Sequence, residues 1–306
     1  MSKASATDTA SPTSTASPTS TAHQRPFWPN NARIAVSLVI NVEEGAEYNP
    51  ADGDAHADNI DETGSMVRGG LRNVTNETNY EYGRRVGGPR ILRLFERYGV
   101  KASMTAAAVA LERSPELTRM IVDGSHEVVG HGYKWAYQYR MDEAAEREFI
   151  RKAADSIAQT TGRRPQGWLC RYLSTPNTRR ILAEEGFTYH MDDASDDMPF
   201  WDEVNGGPFL VIPYAFDTND IKLWPPANLG VEEWGRYARN TFDWLYAEGA
   251  EAPRMMTVGL HQRIIGRPGR IVHLDALLRH MVRRPGVWFA TRAEIAAWWA
   301  KQHPPA

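Results

Sequence analysis

The sequence predicts an α/β protein, a single distorted (β/α) barrel of about seven parallel strands. Three observations predict it. Near-continuous apolar runs read as strands buried on both faces. These runs alternate with segments of helical period, the pattern of βαβ units. Polar residues with useful chemistry collect just after several of the strands, at the face where a parallel barrel carries its active site.

Taken in order, Ile34-Ala-Val-Ser-Leu-Val-Ile40 is the first buried strand. A long polar loop follows, from about Glu43 to Tyr82. Loops of that length in a compact domain usually carry function or disorder. Pro89 to Tyr98 is a helix with Ile91, Leu92 and Phe95 on one face and Gly99 as its C-terminal stop. Val100 to Val109 is partly strand. Ser114-Pro115-Glu116 opens a helix that ends before Gly124, and Glu127 to Val129 is a short strand. Asp142 caps a helix with Ala145, Phe149, Ala153 and Ile157 in one stripe, stopped by Gly162. Gln166–Cys170, Phe187–Met191, Phe209–Tyr214, Met255–Leu260 and Val287–Phe289 read as extended, with helices at Asn177–Glu185, Val231–Ala247 and Leu274–Val282 between them. Thr291-Arg-Ala-Glu294 is a capping box opening the last helix.

The 306 residues are 42% hydrophobic with a formal net charge of −3. That balance gives no electrostatic reason for a nucleic-acid or anionic-membrane partner. No run approaches the roughly 20 apolar residues of a membrane span. Residues 1–27, rich in Ser, Thr, Ala and Pro, are expected to form a disordered tail without a secretory h-region, ahead of one catalytic domain over 28–306. With a single cysteine, Cys170, there is no internal disulfide. The expected location is the cytoplasm, and the expected partner is a small-molecule substrate.

The strand-end clusters are Asn41, Glu43 and Glu44; His131 and Trp135; Arg171 and Tyr172; Asp192 and Asp193; and His261, Gln262 and Arg263. Each alone has an ordinary reading as a solvated acid, a cap or a hydrogen-bonded core residue. Five clusters recurring at one structural position point to one active site. Trp201, Trp224 and Tyr214 are further candidates for its walls.

Ile40-Asn-Val-Glu-Glu-Gly45, Ser125-His-Glu-Val-Val-Gly-His-Gly-Tyr-Lys-Trp135 and Val258-Gly-Leu-His261 resemble, in order and spacing, three motifs of the polysaccharide deacetylase (NodB-like) family. Within it, the Asn-x-Glu-Glu-Gly motif and Pro176-Asn-Thr-Arg-Arg180 are similar to the branch of cofactor-independent allantoinases and cyclic imide hydrolases. So are Asp196-Asp-Met-Pro-Phe-Trp201, Leu210-Val-Ile-Pro-Tyr214 and Asp217-Thr-Asn-Asp220. The resemblance implies a hydrolase of non-peptide C–N bonds, a homodimer or homotetramer, and a small cyclic amide such as allantoin, a hydantoin or an imide as substrate. The alternative it implies is a metal-dependent N-deacetylase of polysaccharide or peptidoglycan.

Departures from the sugar-deacetylase pattern bear on that choice. Those enzymes carry an Asp pair, where this chain has Glu43-Glu44, and hold a metal through one acid and two histidines four residues apart. Here the second histidine position is Trp135, whose indole is a donor with no lone pair to give. A catalytic zinc takes three protein ligands and a water. Glu44 and His131 alone remain to hold a metal, with His126 a weak addition, so the expectation is no cofactor, zinc being the alternative. The family's Arg-x-Pro-Tyr segment is altered to Arg171-Tyr-Leu-Ser. The roles implied are Glu43 as base, Glu44 positioning water or substrate, His131 with a backbone N–H near Tyr172 for the oxyanion, and His261 as acid. Asn41, Trp135, Arg171, Tyr172, Asp193 and Arg263 are expected to contact substrate.

Overall fold

β1 (Ile34–Val42) is buried at every residue and organises the sheet. On one side it pairs in parallel with β8 (Arg254–His261) through eight residues. On the other it pairs with β2 (Ser103–Ala106) near its end and β9 (Val287–Phe289) near its start. The sheet continues through β3 (Glu127–Gly130), β4 (Gly167–Trp168) and β5 (Tyr189–His190) to a hairpin of β7 (Gly207–Val211) and β6 (Phe200–Val204). All these pairings are parallel except β6 with β7. The result is the expected distorted barrel of parallel strands, left open between β6 and β8. The computed structural model describes residues 28–60, 62, 64, 67, 69–214, 216–224 and 228–305; the tail expected at 1–27 lies outside them.

The described residues hold nine strands, not about seven. The missed strand is β6, which pairs with β7 through Asn205-Gly206, both at positive φ (54° and 73°). An Asn-Gly pair between two strands is a turn that fits their twist, so the signal was present in the sequence. Trp201 lies on β6 and donates its indole N–H to the His303 carbonyl (2.6 Å), which removes it from the candidate pocket.

Asp142 caps the helix Glu143–Thr161 by accepting from the Ala145 amide (2.9 Å), and Thr291 and Glu294 form the expected reciprocal box. The region from Glu43 to Tyr82 is not all loop. Its last turns, Val74–Tyr82, are helical and run through a π-helical stretch, Gly83–Gly87, into the helix Gly88–Tyr98. Such bulges recur at functional sites. Two glycines allow this one: a Cβ on Gly83 would lie 2.7 Å from Glu44 Cγ, and one on Gly87 would lie 2.1 Å from the Gln262 carbonyl.

Register decides where the polar clusters fall. Asn41 is level with His261 and Thr105; Ala106 is level with Gly130, Gly130 with Trp168, Trp168 with His190, and His190 with Val211. At or just beyond this line, residues of six of these seven strands, all but β2, meet at one mouth.

Candidate active site

At that mouth lies a cavity of about 800 Å³. Its walls include Asn41, Glu43, His131, Trp135, Arg171, Tyr172, Asp193, His261 and Arg263. Of the ten residues expected to act in catalysis or to contact substrate, only Glu44 is absent from the lining. Tyr214 also lines the cavity, whereas Trp224 does not.

Glu43 stands at the centre. Its Oε2 accepts from Arg263 Nη1 (2.8 Å), and its Oε1 lies 3.5 Å from His261 Nε2 and 3.6 Å from His131 Nε2. Burial by itself would raise its pKa. The cations His261 and Arg263 outweigh burial and hold the carboxyl well below the usual carboxylate range.

His261 is gripped from behind by Asp220. Asp220 Oδ1 meets His261 Nδ1 at 2.7 Å, and Oδ2 accepts the His261 amide at 2.9 Å. Burial opposes the imidazolium, but the carboxylates of Glu43 and Asp220 raise its pKa to about 10. Carboxylates on both sides of the ring thus favour the imidazolium form of His261. Asp220 belongs to the Asp217–Asp220 segment, which the sequence singled out without giving that residue a role.

The surroundings correct several expected roles. Glu44 turns behind the site: Oε1 accepts the Arg263 amide (3.0 Å) and Oε2 the Glu43 amide (3.2 Å). Burial, opposed by Arg263 and reinforced by the Glu43 charge, raises its pKa. It positions Arg263 rather than water or substrate.

His131 has both ring nitrogens engaged, Nδ1–H donating to the Leu169 carbonyl (2.6 Å) and Nε2 accepting the Trp135 indole N–H (3.2 Å). That tautomer leaves no N–H for an oxyanion. Tyr172 adopts φ +65°, and its amide N–H donates to no acceptor among the described residues.

Arg171 is spent on a bidentate pair with Asp58 (2.6 and 2.9 Å), and its guanidinium lies 3.6 Å over the Trp135 ring. Asp193 is held by Arg179 and by Ser195. Asn41 bonds Thr105, Tyr214 and the Leu260 carbonyl.

The long loop supplies residues that sequence reasoning missed. Asp58 reaches Arg171, and Glu62 bonds Arg263 Nε. Neither position follows a strand, and no local period marks them.

The residues fit a family-type metal poorly. The His131 lone pair that would face an ion is occupied by indole N–H, and Glu44 is directed at backbone amides behind Arg263. A different donor cluster, Cys170, His190 and Asp192, brings its ligand atoms within 4.8 Å of one another. There His190 Nδ1 accepts from Arg179 Nε (3.3 Å), which leaves the ring proton on Nε2, 2.6 Å from Asp192. Asp192 also accepts the Cys170 amide. Burial and the Asp192 charge push the Cys170 thiol well above its ordinary pKa, so it stays a neutral thiol.

Comparison with known proteins fits this geometry. A model of the Polysaccharide deacetylase family matches residues 77–190. A Schizosaccharomyces pombe protein named "Putative polysaccharide deacetylase" is 35% identical over 299 residues, covering 90% of this chain and 93% of that protein. The chain belongs to the polysaccharide deacetylase family.

As a member of that family it is a hydrolase of the deacetylase superfamily. Two solved structures are similar across nearly the whole family domain. A probable polysaccharide deacetylase from Pseudomonas aeruginosa PAO1 is 41% identical with a TM-score of 0.87, covering 92% of this chain and 96% of that one. The PuuE allantoinase is 42% identical with a TM-score of 0.88, covering 92% and 95%.

Proposed function

We propose that this hydrolase opens a small cyclic amide, an allantoin, hydantoin or imide ring, by carboxylate-activated water and without a catalytic metal. The observation that carries the reading is the bond from Trp135 Nε1 to His131 Nε2, which fills the coordination position a sugar deacetylase gives to its metal. The likeness to a PuuE allantoinase supports the substrate class.

Amide hydrolysis needs an activated nucleophile, a cradle for the oxyanion and a proton for the leaving nitrogen. Glu43, kept ionised, takes a proton from water as the water oxygen bonds to the ring carbonyl carbon. The Tyr172 amide receives the developing oxyanion. His261 gives its Nε2 proton to the ring nitrogen as the C–N bond breaks. A carboxylate with a depressed pKa is a weak base at rest. As His261 loses its positive charge, the field that depresses Glu43 weakens, so the two transfers assist each other. The proton on Glu43 then passes across 3.5 Å to His261 Nε2, restoring both groups.

A ureide or imide nitrogen leaves more readily than a simple amide, so the chemistry tolerates the loss of a Lewis acid. Asp220 orients the imidazole and keeps it charged. The expected assembly is a homo-oligomer, and the proposed location is cytoplasmic; no helix among the described residues is long and apolar enough to cross a membrane.

The test is ring opening of allantoin, hydantoin, succinimide and dihydrouracil before and after exhaustive chelation, beside N-acetylglucosamine oligomers. Ring opening that survives chelation supports the reading. Activity confined to the acetylated sugars and restored by zinc refutes it. Glu43→Gln is expected to abolish turnover with the fold intact.

A further inference from the structure

The cavity is large for a bare ring. At about 800 Å³ it falls in the upper part of the range that holds drug-sized ligands, roughly 300–1,000 Å³. A five-membered ring set between Glu43, His261 and the Tyr172 amide leaves most of it unfilled.

The charges around its wall are unequal in their bonding. Glu43 has Arg263 and His261, Arg171 has Asp58, Asp193 has Arg179, and Asp192 has His190. Lys222 lines the same cavity, is half-buried, and its ammonium has no ion pair or side-chain hydrogen bond among the described residues. It sits in the one-turn helix Asp220–Leu223, two residues after the carboxylate that orients His261, and Ile221 lines the cavity beside it. The Asp220 bonds to His261 therefore tie this turn to the strand end that carries His261. Phe216, Leu173 and Tyr172 also line the cavity and are well exposed, so the wall pairs large apolar surface with a cation that has no ionic partner among the described residues.

Resting on the ring-opening reading, we infer that Lys222 is a specificity-determining residue that receives a side arm on the substrate ring, an arm ending in an oxygen acceptor, either a carboxylate or a ureido carbonyl. A partly desolvated ammonium bonds such an oxygen more strongly than a neutral donor does. An alkyl arm of equal length leaves it unpaired.

The experiment compares hydantoins carrying carboxymethyl, ureido or ethyl groups at the ring carbon, using the full chain and its Lys222→Met and Lys222→Arg variants. The expected result is a kcat/KM preference for an acceptor-bearing arm over ethyl, expressed in KM. That ratio falls about tenfold in Lys222→Met and is largely kept in Lys222→Arg. Carboxymethyl above ureido identifies an anionic arm, and the reverse a ureide. Equal use of all three rings by the native chain, or a ratio unchanged in Lys222→Met, overturns the inference.

Binding of the same three compounds to Glu43→Gln and to Glu43→Gln with Lys222→Met, measured by calorimetry, reads the Lys222 contrast without turnover. Absence of ring opening by the native chain thus sinks the ring-opening reading alone. Equal affinities in the two variants sink the assignment of Lys222.

Discussion

The indole N–H of Trp135 donates to Nε2 of His131 across 3.2 Å, while the far side of the same imidazole donates to the Leu169 carbonyl across 2.6 Å. One tryptophan thus fixes the His131 tautomer and occupies its Nε2 lone pair. It also supports Arg171, whose guanidinium lies 3.6 Å over its ring. Trp135→Phe keeps an aromatic ring but leaves the buried His131 acceptor unpaired. The expected cost is about 1–3 kcal/mol of stability, checked by urea denaturation of the two proteins. No loss of stability would mean that the bond is dispensable.

The Asp220–His261 pair predicts a pH dependence with a definite sign. The imidazolium is the acid form, and its pKa is raised from 6.5 to about 10. Its contribution to stability is fully present below about pH 6.5 and is lost as pH rises through about 10. The alkaline limb of kcat/KM should accordingly fall near pH 10. Asp220→Asn removes one of the two carboxylates that raise the pKa, so this limb should move to lower pH. A limb left in place would show that Asp220 does not set the charge of His261.

The loop-to-barrel pair Asp58–Arg171 is almost fully buried on both sides. Removing one member of such a pair strands the other charge, at a cost of roughly 3–5 kcal/mol. Asp58→Ala should therefore lower the unfolding midpoint sharply and, by freeing the loop, raise KM. Thermal unfolding and steady-state kinetics on one preparation distinguish this from a surface ion pair, which would change neither by much.

Gly83 lies in the π-helical stretch against Glu44, where an added Cβ would approach Glu44 Cγ to 2.7 Å. Gly83→Ala should displace Glu44, and with it the Arg263 amide that Glu44 accepts. The expected outcome is a loss of about 1–3 kcal/mol in stability together with a fall in kcat, since Arg263 holds Glu43. A fall in stability with unchanged kcat would separate Glu44 from the support of Glu43.

Buried apolar runs, helix caps and stops along the chain determined the parallel α/β barrel. The recurrence of polar residues after the strands determined that Glu43 and His261 share a site. Those signals are local, because a strand's burial and a cap's hydrogen bond are written in a few adjacent residues. The motif position of Trp135, an indole where a metal ligand would stand, is likewise legible in the sequence.

Tertiary structure alone decided how the charges are distributed. Glu44 and Glu43 are neighbours in sequence, yet one faces the cavity and the other supports Arg263 from behind. Asp58, Glu62 and Asp220 meet partners 113, 201 and 41 residues away, and nothing in their local sequence marks those pairings. The ionisation of Glu43 and His261 follows from these contacts. A buried group takes its charge state from what the fold sets within a few ångströms, and distance along the chain carries no record of that.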